Sequence, residues 1–76
     1  MQELVTYLAR RLVDEPDAVR VDAETSGDTL HLSLHVASGD VGKVIGKQGR
    51  IIRAMRTVIR SAGARRGQRV MLEIVE

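Results

Sequence analysis

The 76 residues predict one α+β domain spanning 1–76, a three-stranded sheet with helices packed on one face in the order α-β-β-α-α-β. Three observations carry this. Apolar residues recur at helical spacing near the N-terminus and again beyond Arg50, and three other stretches alternate apolar with polar residues. A chain this short buries only about 60% of the surface its unfolded form exposes, so it has no core to share with a second domain.

Leu4, Val5, Leu8 and Leu12 predict an amphipathic helix over residues 2–14, closed by Asp14, Glu15 and Pro16. Val19, Val21 and Ala23 alternate with Arg20, Asp22 and Glu24. After Ser26-Gly27-Asp28, Leu30, Leu32, Leu34 and Val36 alternate with His31, Ser33 and His35, which predicts a β-hairpin with one wet face. From Asp40 the period changes. Asp40 is placed to cap a short helix through Ile45, glycines interrupt it, and a longer helix is predicted from Arg50 to Ala62. Ile51, Ile52, Met55, Val58, Ile59 and Ala62 form its apolar stripe, with Ile52 and Ile59 at one margin, open to a partner, and Arg53, Arg56 and Arg60 on the other side. Gly63 and Gly67 are expected to end this helix. Val70, Leu72 and Ile74 then predict a last strand, in a strand order left open.

The charge is divided along the chain. Residues 1–40 hold three cations and eight acids, whereas residues 41–72 hold nine cations and no acid. Such a half suits a polyanionic partner; the plain alternative is a solvated basic face. Without cysteine, neither a disulfide framework nor a thiolate metal site is available. The first twelve residues lack a basic lead-in and a continuous apolar run, so the expectation is a soluble cytoplasmic protein with no membrane partner.

The stretch GKVIGKQG, residues 42–49, concentrates three glycines among the cations. A phosphate-binding loop of the G-x-x-x-x-G-K-[ST] type is excluded, because Gly42 to Gly46 is one residue too short and Gln48 stands where a hydroxyl should bind magnesium. A G-x-G-x-x-G dinucleotide loop fails on its first spacing. A turn between two helices remains. Gly46 and Gly49 lack Cβ atoms, so a phosphate can approach the backbone, and the free N–H groups opening the next helix attract negative charge. The plain alternative is that the glycines serve only the geometry of a sharp turn.

Val44-Ile45-Gly46-Lys47-Gln48-Gly49-Arg50-Ile51 resembles the V-I-G-x-x-G-x-x-I signature of KH domains, and the order of elements resembles their prokaryotic (type II) form over nearly the whole chain. The resemblance implies binding of single-stranded RNA. Gly46, Lys47, Gln48 and Gly49 would clamp the sugar-phosphate backbone, a G-x-x-G loop holding about four nucleotides. Lys43, Arg50 and Arg53 would flank them. Val44, Ile45 and Ile52 would line an apolar groove for bases, each with a rival role in the core. It further implies an RNA chaperone or post-transcriptional regulator, acting as a homodimer or with a larger KH-containing protein; similar proteins are linked to cell division and shape in some bacteria.

Other modes of action find less support. A base-stacking platform needs aromatic residues, and Tyr7 is alone, expected to be packed or snorkelling in the first helix. His31 and His35 lie about 13 Å apart along one strand at roughly 3.3 Å per residue, too far to share a metal. No serine, histidine and acid fall into a nucleophilic arrangement, so no enzyme, cofactor or small-molecule substrate is expected. The rival reading is a dimerisation or scaffold module without intrinsic RNA specificity.

Overall fold

The computed structural model describes residues 1–76 and has the predicted order of elements. Helix α1 spans Gln2–Leu12, strands β1 and β2 span Arg20–Ser26 and Thr29–His35, helices α2 and α3 span Val41–Ile45 and Arg50–Ala64, and β3 spans Arg69–Val75. β1 and β2 are antiparallel, with Arg20 opposite His35 and Ser26 opposite Thr29. Gly27, first of the two loop residues, has φ 61°, the positive value that a type II′ hairpin turn needs there. β3 runs parallel to β2, with Thr29 opposite Arg69 and His35 opposite Val75. The strand order is β1-β2-β3. Parallel pairing requires a long crossover, and α2 with α3 provides it.

Alternation along the strands sends Val21, Leu32, Leu34, Val70 and Leu72 to one face, where they meet Val5 and Ala9 of α1, Val44 of α2, and Ile52, Met55 and Ile59 of α3. Asp22, His31, Met71 and Glu73 stay exposed on the other. This is the α+β architecture of a type II KH fold. Fully burying a Leu, Ile or Val contributes about 1.5–3 kcal/mol, so Leu32, Leu34, Ile59, Val5 and Val44 supply much of the stabilisation.

Several details differ from the sequence expectations. Ala23, on the edge strand β1, is exposed although Leu32 opposite it is buried. Helix α3 passes Ala62 and continues to Ala64. Its buried row is Ile52, Met55, Ile59 and Gly63, whereas Val58 is 49% exposed; Ile52 and Ile59 are therefore closed to a partner. Gly63 is not a helix stop. A Cβ there would lie 2.7 Å from Val70 Cγ2 and 2.8 Å from the Gln68 carbonyl oxygen, so the glycine admits β3 against the helix.

Another concerns Asp40 and the end of α1, which stops at Leu12 as Val13 turns extended. The Asp40 carboxylate, 2% exposed, makes no side-chain cap on α2. It accepts instead from the backbone N–H of Asp14 at 3.2 Å and of Glu15 at 3.0 Å. Lys43 completes the cluster, 2.5 Å from Asp14 and 3.4 Å from Asp40. The cluster ties the loop after α1 to the entrance of α2. Burial opposes the Asp40 charge, but the Asp14 and Glu15 N–H groups and Lys43 outweigh it and hold the carboxyl below its ordinary 3.8. The hydrogen bond to Asp14, against a smaller effect of burial, and the nearby Asp40 hold Lys43 above 10.5.

Asp40's contribution is complete above 3.8 and is lost as pH falls through its lower folded value, while that of Lys43 is complete below 10.5 and is lost as pH rises through its higher one. Asp40→Asn places an amide donor against one of the two N–H groups. Thermal unfolding near pH 7 is expected to fall by on the order of 5–10 °C. The gap to the native protein should narrow as pH falls below 3.8 and close as it passes the lower folded value, where native Asp40 itself takes up a proton.

Candidate nucleic-acid interface

Between α2 and α3 the backbone has positive φ at three of four consecutive residues: Gly46 at 77°, Gln48 at 58° and Gly49 at 73°. Such values are costly for residues with a Cβ, which accounts for glycine at two of the three. The Gly46 N–H donates to the Gly42 carbonyl at 2.9 Å, and the Gly49 N–H to the Gly46 carbonyl at 3.1 Å, so the turn is braced from within. Gly46 is needed twice over. A Cβ on it would fall 2.6 Å from Ile51 Cγ1. At Gly49 an added Cβ would meet nothing nearer than 4.0 Å, so its backbone faces open space beside Arg53 Nη1 and Ile52. Gly42 has neither positive φ nor a crowding neighbour.

Lys47 and Gln48 are exposed at the tip, with Arg50 and Arg53 exposed on the first turn of α3. The first N–H groups of that helix have no carbonyl of their own helix to bond, and its dipole adds partial positive charge. No ion pair engages Lys47, Arg50, Arg53, Arg56, Arg60, Arg65, Arg66 or Arg69. Lys43 differs, since it is committed to Asp14 and Asp40. Among the apolar residues assigned to a groove, Val44 is fully buried and Ile52 is 6% exposed, because both face the sheet; they support the loop from beneath. Ile45 is only partly buried and keeps some surface beside the loop.

Two features were not legible in the sequence. Arg56 is partly buried, and its Nε donates to the Leu72 carbonyl of β3 at 3.1 Å. Beside it, α3 and β3 enclose a groove of about 720 Å³ whose walls include Arg60, Ala64, Gln68, Arg69 and Met71. The arginine spacing on α3 was visible in advance, but not that the edge of β3 would lie under it. Tyr7, expected to be packed or snorkelling, is 59% exposed, with the Arg11 guanidinium 5.8 Å from its ring centre.

A glycine turn with exposed cations at the mouth of a helix, set in an α-β-β-α-α-β frame, matches a known family. The family model described as KhpA/KhpB, KH domain, matches residues 2–74. The chain belongs to this family. The chain is 46% identical over 76 residues to the RNA-binding protein KhpA of Halalkalibacterium halodurans, covering all of both chains. It is 48% identical over 75 residues to that of Clostridium acetobutylicum, covering 99% of this chain and all of the relative. Against that of Aquifex aeolicus it is 45% identical over 76 residues, covering all of this chain and 96% of the relative. No helix of this KH domain is long and apolar enough to cross a membrane.

Proposed function

We propose that this KH domain binds single-stranded RNA in the cytoplasm, with Gly46, Lys47, Gln48 and Gly49 holding the sugar-phosphate backbone and Arg50 and Arg53 flanking it. The observation that carries this reading is the turn itself: three positive φ values, an uncrowded Gly49 backbone and unpaired cations converge on one exposed point. The names of its relatives, RNA-binding protein KhpA, support the same class of ligand. Lys43 contributes field rather than a direct contact while it stays with its two carboxylates. Ile45, and not Val44 or Ile52, is the apolar residue with surface to offer a base.

One such site, with no aromatic ring beside it, holds RNA weakly. Two sites on one RNA gain effective concentration, so the protein acts as a dimer, with a second copy or with a larger KH-containing protein, in an RNA chaperone or post-transcriptional role.

The test is a salt titration of a labelled single-stranded RNA by fluorescence anisotropy, with the association state followed by sedimentation in the same buffers. Each phosphate contact contributes a slope of about −0.7, so about four contacts give roughly −3 in log K against log salt. A dimer is expected at tens of micromolar. A flat salt response would replace this reading with that of a protein-interaction module.

A further inference from the structure

Arg56 is the one member of the α3 arginine stripe that the fold holds by a hydrogen bond, from Nε to the Leu72 carbonyl at 3.1 Å. β3 is an edge strand, so a carbonyl turned away from β2 has no partner in the sheet, and Arg56 supplies one. With Nε engaged, the opposite edge of the guanidinium keeps Nη1 and Nη2 as two parallel donors. No acid pairs with them and no other hydrogen bond uses Arg56. Arg56 borders the groove between α3 and β3. It lies one turn beyond Arg53, which stands beside Gly49. At about 1.5 Å per residue the step from Arg53 is about 4.5 Å along the helix, so an RNA held at the glycine turn and running along α3 passes this fork next.

A fork of two parallel donors is matched by two neighbouring acceptors. Guanine presents O6 with N7, and cytosine presents O2 with N3. Uracil interrupts its carbonyls with N3–H, and adenine sets its amino group beside both N1 and N7. We propose that Arg56 reads a base of the bound RNA, selecting cytosine or guanine over uracil or adenine. This rests on the RNA-clamp reading above. It adds a sequence preference, where the clamp alone grips phosphates without regard to sequence. A bidentate contact of this kind discriminates by about 5- to 100-fold.

The experiment compares octamers of cytidine, uridine and adenosine, and a uridine octamer with one central guanosine, by competition anisotropy. It uses the native chain, Arg56→Lys, Arg56→Gln and the clamp variant Lys47→Asp with Gln48→Asp. The native protein is expected to favour the cytidine octamer and the guanosine-containing octamer over uridine by at least about 5-fold. Arg56→Lys keeps the charge but loses the fork, so cytidine should fall to the level of uridine, with uridine and the salt slope unchanged. Arg56→Gln carries one donor and one acceptor and should turn the preference towards adenosine. Equal native affinity for all octamers, together with loss of all of them in the clamp variant, would overturn the Arg56 proposal and leave the clamp standing. A preference that survives in Arg56→Lys, or an equal loss on every octamer, would also overturn it and leave Arg56 as a brace of the β3 edge. Absence of binding to every octamer by the native protein would overturn the clamp and this proposal together.

Discussion

Lys47→Asp with Gln48→Asp is expected to weaken binding to single-stranded RNA by at least about 100-fold while the circular dichroism spectrum and thermal midpoint stay close to native. Both side chains are exposed and outside the core, so little packing is at stake. The positive φ that position 48 requires, 58°, is tolerated better by aspartate than by most residues with a Cβ. The turn is braced by bonds among Gly42, Gly46 and Gly49, which the substitution leaves in place. Two negative charges would now face the phosphates. Removing two contacts to charged phosphates of about 1.5–3 kcal/mol each accounts for the expected loss, before any repulsion is counted. The salt slope should flatten by about 0.7 for each lost contact. Unchanged binding by the folded variant would move the RNA site away from the loop.

Gly63→Ala is expected to destabilise the fold by about 2–3 kcal/mol, a fall of roughly 10–20 °C in Tm. The sign is informative because alanine in a helix interior ordinarily gains about 1 kcal/mol over glycine. Here the added Cβ would lie 2.7 Å from Val70 Cγ2 and 2.8 Å from the Gln68 carbonyl oxygen. The valine could turn; the backbone oxygen moves only if the turn into β3 moves. The Gly63 carbonyl also accepts from the Arg66 and Gln68 N–H groups, both at 2.9 Å, so displacing the chain there disturbs the whole connection. Gly42→Ala is the matched control. Its Cβ would meet open space at an ordinary φ, so it should stabilise by a few tenths to about 1 kcal/mol. Thermal melts of the two variants beside the native protein decide the matter, and a Gly63→Ala midpoint at or above native would refute the close-packing account.

The resemblance carried by Val44 to Ile51 was legible because it is local: four residues between two helices must turn sharply, and only certain residue types can occupy positive φ. The alternation of Leu30, Leu32 and Leu34 against His31, Ser33 and His35 was legible for a similar reason, since side chains alternate faces whatever the strand pairs with. The pairing of Lys43 was not legible because its partner Asp14 lies 29 residues away, beyond the reach of any local pattern. Asp40 was misjudged because a carboxylate just before a helix suits a cap as well as the long-range bond it makes. Ile52 and Ile59 were placed at a margin because helical spacing defines a stripe without saying where on the helix the sheet will press. Gly63 on the same row answers that.

What the sequence by itself determined is what nearest neighbours and simple periods determine: the type and order of the elements, the glycine turn and the concentration of cations in residues 41–72. Tertiary structure decided which of those cations are spent and which are free. Folding brings the loop after α1 against α2 and the edge of β3 under α3, so Lys43 is neutralised by carboxylates and Arg56 is fixed on a carbonyl. Lys47, Arg50 and Arg53 reach no acid and remain available. Charge is a property of the residue, but its availability depends on what the fold places within about 4 Å of it.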